Sequence, residues 1–547
     1  MQYQFQFVSS LEKIFFDPRG DLYTQTSGSM FKNERYSFQL YAYAQGAPDP
    51  RIYASIEIDS PIRDYLSVYQ VGYVPSTLAC LPLCKDDDYL SKRPGLFPDP
   101  LYPITGGNIE LADTQTRAFW FVIEPNGNIS GTFPIRVRIK DKEGQQIGDL
   151  TYTIEIIDAL LPEQTLINTG WFHADCLAAA HHVEILSDAH FALLEKYIRL
   201  YASFGHNMIL TPVFTPPLDT AVGGERPTVQ LVGVTKTDGG YRFDFSLLGR
   251  WLDMCRACGI RYFEISHLFT QWGAKHAPKV MAHTDTGYRR IFGWDTDAAG
   301  PEYTAFLQAF LPALTAFLQQ QGVLDCCFFH VSDEPLMEHL EQYQAVKAII
   351  APYIRQDRHM DALSEYAFYQ TGAVGKPVVA TNHIQPFLEH QVPGLWAYYC
   401  TAQGDFVANR YMAMPSYRSR VLGQQLYKHQ IEGFLQWGFN FWNTQFSTRA
   451  IDPFAVTDAG GAFQSGDAFL VYPCGADGNP ICSLRLYVFA DALQDMRALQ
   501  LLESNIGRDA VLELLPGIIG FDQYPRSIDY IVSLRETVNQ KIKETLS

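Results

Sequence analysis

Two adjacent carboxylates, Asp333 and Glu334, are the residues of this sequence best suited to acid–base chemistry. They follow the apolar run "CCFFHV" (326–331), which is typical of a buried strand, and Pro335 comes directly after them. Neighbouring side chains of a regular strand face opposite ways. Both acids can therefore reach one pocket only where the pleat ends, as Pro335 indicates. A solvated turn is the alternative interpretation of the triplet.

Aromatic and polar side chains follow many of the other apolar runs in the second part of the chain. Taken singly, each is at least as well explained as a packed ring or a hydrogen-bonded histidine. Together they predict a mouth lined with rings on which a sugar can stack, which favours glycoside hydrolysis over a structural role. The residues concerned are Trp171, His173, His267, Tyr366, His383, Tyr398, Trp442 and Asn443.

The adjacency of the two acids favours one kind of glycoside hydrolysis. Most glycosidases place two carboxylates on opposite sides of the scissile bond, about 5–5.5 Å apart in retaining enzymes. Adjacent residues, with α carbons about 3.8 Å apart, approach from one side. In substrate-assisted hydrolysis the nucleophile is the carbonyl oxygen of the sugar's own 2-acetamido group. Glu334 would then protonate the glycosidic oxygen and activate water, and Asp333 would hold the acetamido N–H.

The two acids should also interact electrostatically. Like charges this close disfavour double ionisation, so we expect the pKa of one carboxyl to be raised, as an acid catalyst that works near neutral pH requires.

From residue 165 onward, apolar strand-like runs alternate with amphipathic stretches, which predicts βα units and a parallel sheet. Eight such strands over about 280 residues fit a (β/α)8 barrel, whose chemistry lies at the C-terminal ends of the strands. The helix between the fifth and sixth strands is hard to find, so we expect an irregular unit there. The predicted strands are 166–172, 208–214, 261–269, 326–334, 361–366, 377–384, 395–400 and 439–444.

Residues 1–160 are predicted to be all-β, because alternating strands are broken by Gly, Asn and Asp turns. Two packed sheets are the natural arrangement of such strands, and "LLPEQ" (160–164) is the expected linker. We thus expect a multidomain protein with a β-sandwich at 1–160 and a catalytic barrel at 165–505. A C-terminal helical extension, 506–547, is expected to pack on the barrel.

Five segments, in order, resemble glycoside hydrolase family 123, whose catalytic domain was formerly a domain of unknown function. The resemblance covers about 165–505, and "VGYVPS" (71–76) and "PGLFPDPLYP" (94–103) are similar to the N-terminal β-sandwich of that family. The five segments are "WFHADCLA" (171–178), "HLFTQWGA" (267–274), "FFHVSDEP" (328–335), "EGFLQWGFNFWN" (432–443) and "GDAFLVYP" (466–473).

The resemblance implies a β-N-acetylgalactosaminidase that retains configuration through substrate assistance, with the Asp–Glu pair of the family at Asp333 and Glu334. It also implies that aromatic residues shape the sugar subsite. The candidates for that role are Trp171, Trp396, Tyr398 and Trp442.

Two other functions remain open from the sequence. A β-N-acetylglucosaminidase would use the same mechanism, because the contact that reads the axial O4 of a galactosaminide cannot be identified from sequence. A non-catalytic carbohydrate-binding homologue would keep the aromatic subsite without needing both acids. We expect exo action on an oligosaccharide or glycoconjugate with a terminal 2-acetamido sugar, and the oligomeric state is unknown.

Composition excludes several classes of partner. The chain has 42 Lys and Arg against 59 Asp and Glu, a formal net charge of −17, and no run rich in Lys or Arg. Nucleic acid is therefore not expected, since phosphate binding needs clustered cations. The N-terminus lacks the pattern of a signal peptide, and no apolar run approaches the roughly 20 residues that span a bilayer. We expect a cytoplasmic protein without a membrane partner.

No cofactor and no metal are implied by the sequence. The cysteines are scattered, which suits free thiols in a reducing compartment. His276, His283 and Asp285 lie close together in the sequence, but their spacing fits no familiar pattern of metal ligands. A loop at the barrel mouth explains them better.

Overall fold

The computed structural model describes residues 2–18, 20–47 and 49–546. The protein is multidomain, with an N-terminal all-β region followed by a nearly closed barrel of eight parallel strands.

The N-terminal region consists of two five-stranded sheets. Their strands are β1 (Gln2–Ser9), β2 (Ser27–Phe31), β3 (Tyr36–Gln45), β4 (Arg51–Asp59), β5 (Leu66–Ser76), β6 (Gly95–Pro103), β7 (Asn108–Ala112), β8 (Thr116–Ile123), β9 (Gly131–Asp141) and β10 (Gln146–Ile157). The first sheet has the order β1-β3-β8-β5-β6 and the second β2-β10-β9-β4-β7. Along β9, Ile135 and Val137 are buried while Arg136 between them is exposed, which is the alternation expected of a strand with one face on a core.

Eight later strands lie parallel in one sheet: β11 (Ile167–Gly170), β12 (Met208–Thr211), β15 (Tyr262–Ile265), β18 (Cys327–Phe329), β19 (Met360–Leu363), β20 (Lys376–Ala380), β21 (Trp396–Tyr398) and β22 (Gly433–Gln436). Their order is β18-β15-β12-β11-β22-β21-β20-β19. Phe329 at the end of β18 forms a parallel bridge with His359, just before β19. The two edge strands therefore meet, and the barrel is nearly closed.

Alternate residues of these strands fill the barrel interior, because side chains of a strand point to opposite faces in turn. Phe328, Met360, Val378 and Trp396 lie in this interior cluster and are almost completely buried. Two residues after Trp396 on the same face, Tyr398 lies one layer nearer the C-terminal mouth. The position along the strand thus decides whether an inward-facing side chain lies in the barrel core or at the barrel mouth.

Seven of the eight predicted strands overlap observed ones, but the prediction of the eighth at 439–444 is wrong. The strand is β22, Gly433–Gln436, which pairs with both β11 and β21. The following run is equally apolar, so hydrophobicity alone could not choose between the two. It leaves the barrel sheet, and Asn440 instead bridges antiparallel to Phe469.

Twelve helices surround the sheets: α1 (Ala174–His181), α2 (Asp188–Ser203), α3 (Ser246–Ala257), α4 (Pro301–Gln320), α5 (Leu340–Ile350), α6 (Tyr366–Gln370), α7 (Gln385–Glu389), α8 (Ser416–Arg420), α9 (Leu422–Lys428), α10 (Leu484–Ile506), α11 (Arg508–Leu512) and α12 (Ile528–Leu546). This count covers residues 2–18, 20–47 and 49–546. The unit between the fifth and sixth barrel strands holds only the five-residue α6. Within the same residues, none of the helices has the length and apolarity needed to cross a bilayer.

Two smaller sheets complete the fold. Their strands are β13 (Gly233–Thr237), β14 (Gly240–Asp244), β16 (Val280–Thr284), β17 (Gly287–Phe292), β23 (Val471–Cys474) and β24 (Pro480–Cys482). One sheet has the order β14-β13-β16-β17, and the other pairs β23 with β24. All ten cysteines are free thiols.

Candidate active site

A cleft of about 250 Å³ lies at the C-terminal ends of the barrel strands. Its lining comes from the ends of seven of the eight strands and the loops that follow them, which is where barrels of this kind place their functional groups. The lining residues are Trp171, Leu218, Asp219, Gln271, Trp272, Asp333, Glu334, Ala362, Tyr398, Cys400, Thr401, Leu435, Trp437, Gln445, Phe446 and Phe463.

Asp333 and Glu334 line this cleft together because the pleat ends in a left-handed turn. Glu334 has a φ of 46°, a conformation that non-glycine residues adopt rarely. The turn is tied at two points: the Glu334 N–H donates to the Ala362 carbonyl at 3.1 Å, and the Trp272 N–H donates to the Asp333 carbonyl at 3.1 Å. Both acids consequently approach the cleft from one side.

Tyr398 supplies the direct partner of Glu334. Its hydroxyl donates to Glu334 Oε1 at 2.7 Å, and burial together with the nearby Glu334 raises the pKa of Tyr398 well above its ordinary value. The phenol therefore stays protonated and acts as a fixed donor to the glutamate.

The carboxyl that is hard to ionise is Asp333. Burial raises its pKa well above the usual value, and the negative charges of Glu334, Asp361 and Glu264 raise it further, while His330 acts in the opposite direction. The expected repulsion between adjacent acids is present, and it makes ionisation of Asp333 unfavourable in the free protein.

A buried chain of charged groups lies beside the acid pair. His330 contacts Glu264 through Nε2 at 2.5 Å and Asp361 through Nδ1 at 3.2 Å. Burial alone would lower the pKa of His330, but hydrogen bonds to Asp361 and Glu264 outweigh it and raise that pKa to about 10. The two neighbouring carboxyl groups thus favour the imidazolium form of His330.

Four of the residues singled out by sequence meet in the cleft: Trp171, Asp333, Glu334 and Tyr398. Trp171 is held by its indole N–H, which donates to Glu264 Oε1 at 2.6 Å.

Three others lie behind the cleft wall, outside its lining. His173 donates from Nε2 to the Trp437 carbonyl at 3.0 Å and accepts from Arg226 at Nδ1. Burial and the nearby Arg226 lower the pKa of His173 to about 3, so it is a neutral support. Trp442 donates to the Val471 carbonyl, and Asn443 contacts the Cys176 sulfur. Both lie near the end of the wrongly predicted eighth strand, 439–444, which explains why they were assigned to the mouth.

The remaining four candidates also lie away from the lining. His267 is fully buried and stacks on His330, with 4.1 Å between ring centroids. Tyr366 begins α6 and stacks on His390. His383 is exposed in the turn after β20, and Trp396 belongs to the deeper interior layer of the barrel. We assign none of these seven residues a substrate contact.

Several lining residues were missed by sequence reasoning. Trp272 and Trp437 occur inside two of the family-like segments but were not singled out. The Trp437 indole N–H donates to Asp467 Oδ2 at 2.9 Å, which fixes this wall of the cleft. Asp219 had no sequence signal, because it follows β12 in an irregular loop. Burial raises its pKa to about 6.

Four of the fourteen non-glycine residues with positive φ in the described part of the chain line the cleft. Positive φ angles occur at Asp219 (40°), Trp272 (58°), Glu334 (46°) and Phe446 (58°), all of which line it. Such conformations are unfavourable for side chains of this size and persist where the surroundings hold them, commonly at functional sites. Among the described residues, no three His, Cys, Asp or Glu side chains converge as metal ligands.

Comparison with known proteins gives one long match. The family model described as "Glycoside hydrolase 123, catalytic domain" matches residues 171–502. No curated protein sequence matches the chain.

One solved structure is similar over the whole chain. It is a family 123 glycoside hydrolase from Clostridium perfringens studied for glycolipid glycan hydrolysis, with a TM-score of 0.74, 14% identity, and coverage of 99% of this chain and 98% of that one. A β-glucuronidase from Bifidobacterium dentium has a TM-score of 0.30, 9% identity, and coverage of 91% and 67%. That second likeness is too low to support an argument.

The family model spans more than half of the chain, and the C. perfringens enzyme shares its fold. This chain belongs to glycoside hydrolase family 123.

Proposed function

We propose that the chain is an exo-acting glycosidase that releases terminal β-linked N-acetylgalactosamine by a retaining, substrate-assisted mechanism. Glu334 is the acid/base, and Asp333 orients the 2-acetamido group. The observation that carries the proposal is that both acids enter one cleft from a single left-handed turn. They cannot flank a glycosidic bond as two opposed carboxylates do.

The reaction then proceeds in two displacements. In the first, the acetamido carbonyl oxygen bonds to the anomeric carbon, the glycosidic bond breaks, and Glu334 gives its proton to the leaving oxygen. The product is a cyclic oxazolinium ion whose N–H donates to the Asp333 carboxylate. In the second, Glu334 takes a proton from water, whose oxygen attacks the anomeric carbon and reopens the ring. Two displacements at the same carbon retain configuration.

The raised pKa of Asp333 supports this role. Its carboxylate is disfavoured in the free protein by burial and by the adjacent Glu334. A positive charge that develops on the acetamido nitrogen offsets both effects and is therefore bound more strongly in the transition state than in the ground state. That difference is what accelerates a reaction.

The walls of the cleft suit one sugar ring. Trp171 and Trp437 are held by hydrogen bonds to buried carboxylates, so their rings are fixed before substrate binds. The substrate is an oligosaccharide or glycoconjugate that ends in a 2-acetamido sugar, and family membership favours galactosamine. A glucosaminidase with the same mechanism and a non-catalytic sugar-binding homologue are the alternatives.

Asp219 supports a second candidate mechanism, because it is a further carboxylate in the cleft lining. It could act as the nucleophile of a double displacement. One of its oxygens already accepts the Phe446 N–H at 3.0 Å, which favours a positioning role instead.

We also propose that the barrel is of the (β/α)8 type. The proposed domains are a β-sandwich at 1–160, the catalytic barrel at 165–505, and a helical extension at 506–547.

The test is release of nitrophenol from the aryl β-glycosides of N-acetylgalactosamine and N-acetylglucosamine. The wild type should turn over the galactosaminide faster. Asp333→Asn and Glu334→Gln should each lose at least about a hundredfold in kcat, and Asp219→Asn less than about tenfold. Circular dichroism checks that every variant is folded.

Other outcomes would redirect the proposal. Retained activity in Asp333→Asn with loss in Asp219→Asn would assign the nucleophile to Asp219. A folded wild type that turns over neither sugar would contradict the proposal and favour the binding homologue.

A further inference from the structure

The buried chain of charged groups, Glu264–His330–Asp361, is an unusual feature for the interior of a barrel. All three side chains are fully buried, and both ring nitrogens of His330 meet a carboxylate. Each nitrogen can donate only if the ring carries two protons. With both protons in place the ring is a cation that donates to Glu264 and to Asp361.

The two carboxyl groups beside His330, those of Glu264 and Asp361, each fix part of the cleft by hydrogen bonds. Glu264 accepts from the Trp171 indole at 2.6 Å and from the Thr169 hydroxyl at 2.7 Å. Asp361 accepts the backbone N–H of Val331 at 3.0 Å and of Ser332 at 3.2 Å. Those two residues lead directly into Asp333, so Asp361 fixes the start of the turn that carries the acids.

The next residue on the same strand fixes the end of that turn. The Ala362 carbonyl accepts the Glu334 N–H at 3.1 Å. One strand end thus holds the acid pair on both sides, with its carboxylate before Asp333 and its carbonyl after it. His330 joins this strand end to Glu264 and, through Glu264, to the Trp171 wall.

Stability gives little reason for such an arrangement. Buried ionic groups are commonly no more stabilising than apolar side chains of similar volume, since desolvation opposes their attraction. The neighbouring inward positions are apolar, with Phe328 and Met360 in the same core. A role in the reaction accounts for the charges better.

We propose that His330 is a positioning residue, which ties the acid turn to the opposite cleft wall through Asp361 and Glu264 and supplies the positive charge beside Asp333. This inference rests on the proposed function, in which Asp333 must be ionised. Among the charged groups that act most strongly on Asp333, His330 favours the carboxylate, whereas Glu334, Glu264 and Asp361 oppose it.

The other groups that face His330 carry no compensating charge. His267 stacks on His330. Burial and the charge of His330 hold the pKa of His267 well below the usual value, so His267 is neutral. The Tyr343 hydroxyl donates to Asp361, and burial raises its pKa well above the usual value. Loss of the His330 charge would therefore leave Asp333 among carboxylates alone.

The test is the pH profile of kcat/KM in His330→Gln. Removal of the cation should raise the pKa of Asp333, so the acidic limb should move to higher pH by about one unit or more. Glu264→Gln removes a negative charge and keeps an oxygen for the Trp171 indole, so its acidic limb should move to lower pH. Opposite shifts would not arise from a merely structural role, and the second variant serves if the first fails to fold.

The control is His359→Gln, which removes another buried histidine. His359 has no carboxylate hydrogen-bonded to its ring among the described residues, and burial lowers its pKa to about 4. It carries no charge at neutral pH, so its loss should leave the acidic limb in place.

A readout without turnover separates this inference from the proposed function. Carbon-13 NMR of labelled aspartate carboxyls follows the Asp333 titration, with its signal identified by absence in Asp333→Asn. The expected result is a titration at higher pH in His330→Gln than in the wild type. An unchanged Asp333 titration would overturn the inference, whether or not the wild type hydrolyses the sugar. Absence of wild-type turnover would count against the proposed function alone.

Discussion

At the residue scale, Tyr398 is the side chain that contacts the proposed acid/base directly. Replacing Tyr398 with Phe removes the 2.7 Å hydrogen bond to Glu334 and a contact of the hydroxyl with the Ser364 side chain. A bond to a carboxylate contributes about 1.5–3 kcal/mol, so kcat should fall about tenfold to a hundredfold, where each 1.4 kcal/mol is tenfold. Nitrophenol release from the β-galactosaminide measures it.

The next residue is the matched control for that variant. Tyr399 is fully buried, and its hydroxyl has no partner among the described residues. Tyr399→Phe should change kcat less than about twofold. Equal losses in the two variants would contradict a direct role of the Tyr398 hydroxyl.

The raised pKa of Asp333 also predicts how stability depends on pH. Some carboxyl groups have a higher pKa in the folded state than in the unfolded state, where it is about 3.9. Such a group lowers the free energy of unfolding as the pH rises above about 3.9, because the folded state resists its ionisation. Asp333→Asn removes this penalty. It should unfold at a higher temperature than the wild type at pH 7, and the difference should shrink towards pH 4. Thermal unfolding at both pH values checks this, and a destabilised variant at pH 7 would refute it.

At the element scale, the cleft is assembled by loops that follow the barrel strands. The loop after β22 holds Asp467, which accepts from the Trp437 indole and from the Gln436 side-chain amide, the latter at 3.1 Å. Asp467→Ala removes the partner of the Trp437 indole, while the Gln436 amide keeps the backbone carbonyl of residue 467 at 3.0 Å. We expect a loss of about 1–3 kcal/mol in the free energy of unfolding and a KM about tenfold higher, because a wall of the cleft loosens.

Another aspartate of the same loop serves as the control. Asp452 is exposed, and among the described residues its side chain accepts one hydrogen bond, from the backbone N–H of Phe454. Asp452→Ala should change stability by less than about 1 kcal/mol and leave KM within twofold. A similar rise of KM in both variants would show that the loop as a whole, and not the anchoring of Trp437, controls binding.

Elements with a local signal could be predicted from the sequence, and contacts between distant segments could not. The acid pair is a local signal, since an apolar strand, two carboxylates and Pro335 stand together. Glu264 is the opposite case: it lies mid-strand in β15, where an isolated carboxylate looks like an interruption of a core strand. Its partners Trp171 and His330 each follow another strand, β11 and β18, and meet it only when the barrel sheet has formed.

The eighth strand shows a second limit. "GFLQ" (433–436) and "FNFWNT" (439–444) are both apolar, and only pairing with β11 and β21 decides which enters the sheet. Trp442 and Asn443 were assigned to the mouth through that choice, whereas Trp437, one residue past the true strand, lines the cleft. A strand predicted a few residues out of place therefore assigns buried residues to the cleft wall and misses residues that line it.

At the scale of the whole molecule, buried ion pairs join the C-terminal helix to the rest of the chain. Arg535 of α12 donates to Glu34, which lies between β2 and β3, at 2.6 Å and to Asp495 of α10 at 2.7 Å. All three are buried. Removing one partner of a buried pair leaves an uncompensated charge, so this contact is sensitive although it lies outside the cleft.

Arg535→Ala should therefore lower the free energy of unfolding by about 3–5 kcal/mol while kcat/KM changes little below the unfolding transition. Arg199→Ala is the control, because its pair with Glu195 on α2 is solvent-exposed and should contribute less than about 1 kcal/mol. Denaturant unfolding measures both. Equal effects of the two variants would contradict a specific role for the buried contact.

The most direct test of the central claim uses substrates that differ only in the nucleophile. In aryl β-galactosaminides with N-acetyl, N-fluoroacetyl and N-trifluoroacetyl groups, each fluorine withdraws electrons from the carbonyl oxygen that would attack the anomeric carbon. Substrate assistance predicts that kcat/KM falls steadily along the series, by at least about a hundredfold overall, which is about 2.7 kcal/mol of transition-state stabilisation. A kcat/KM that stays constant along the series would contradict it, and would mean that the nucleophile belongs to the protein.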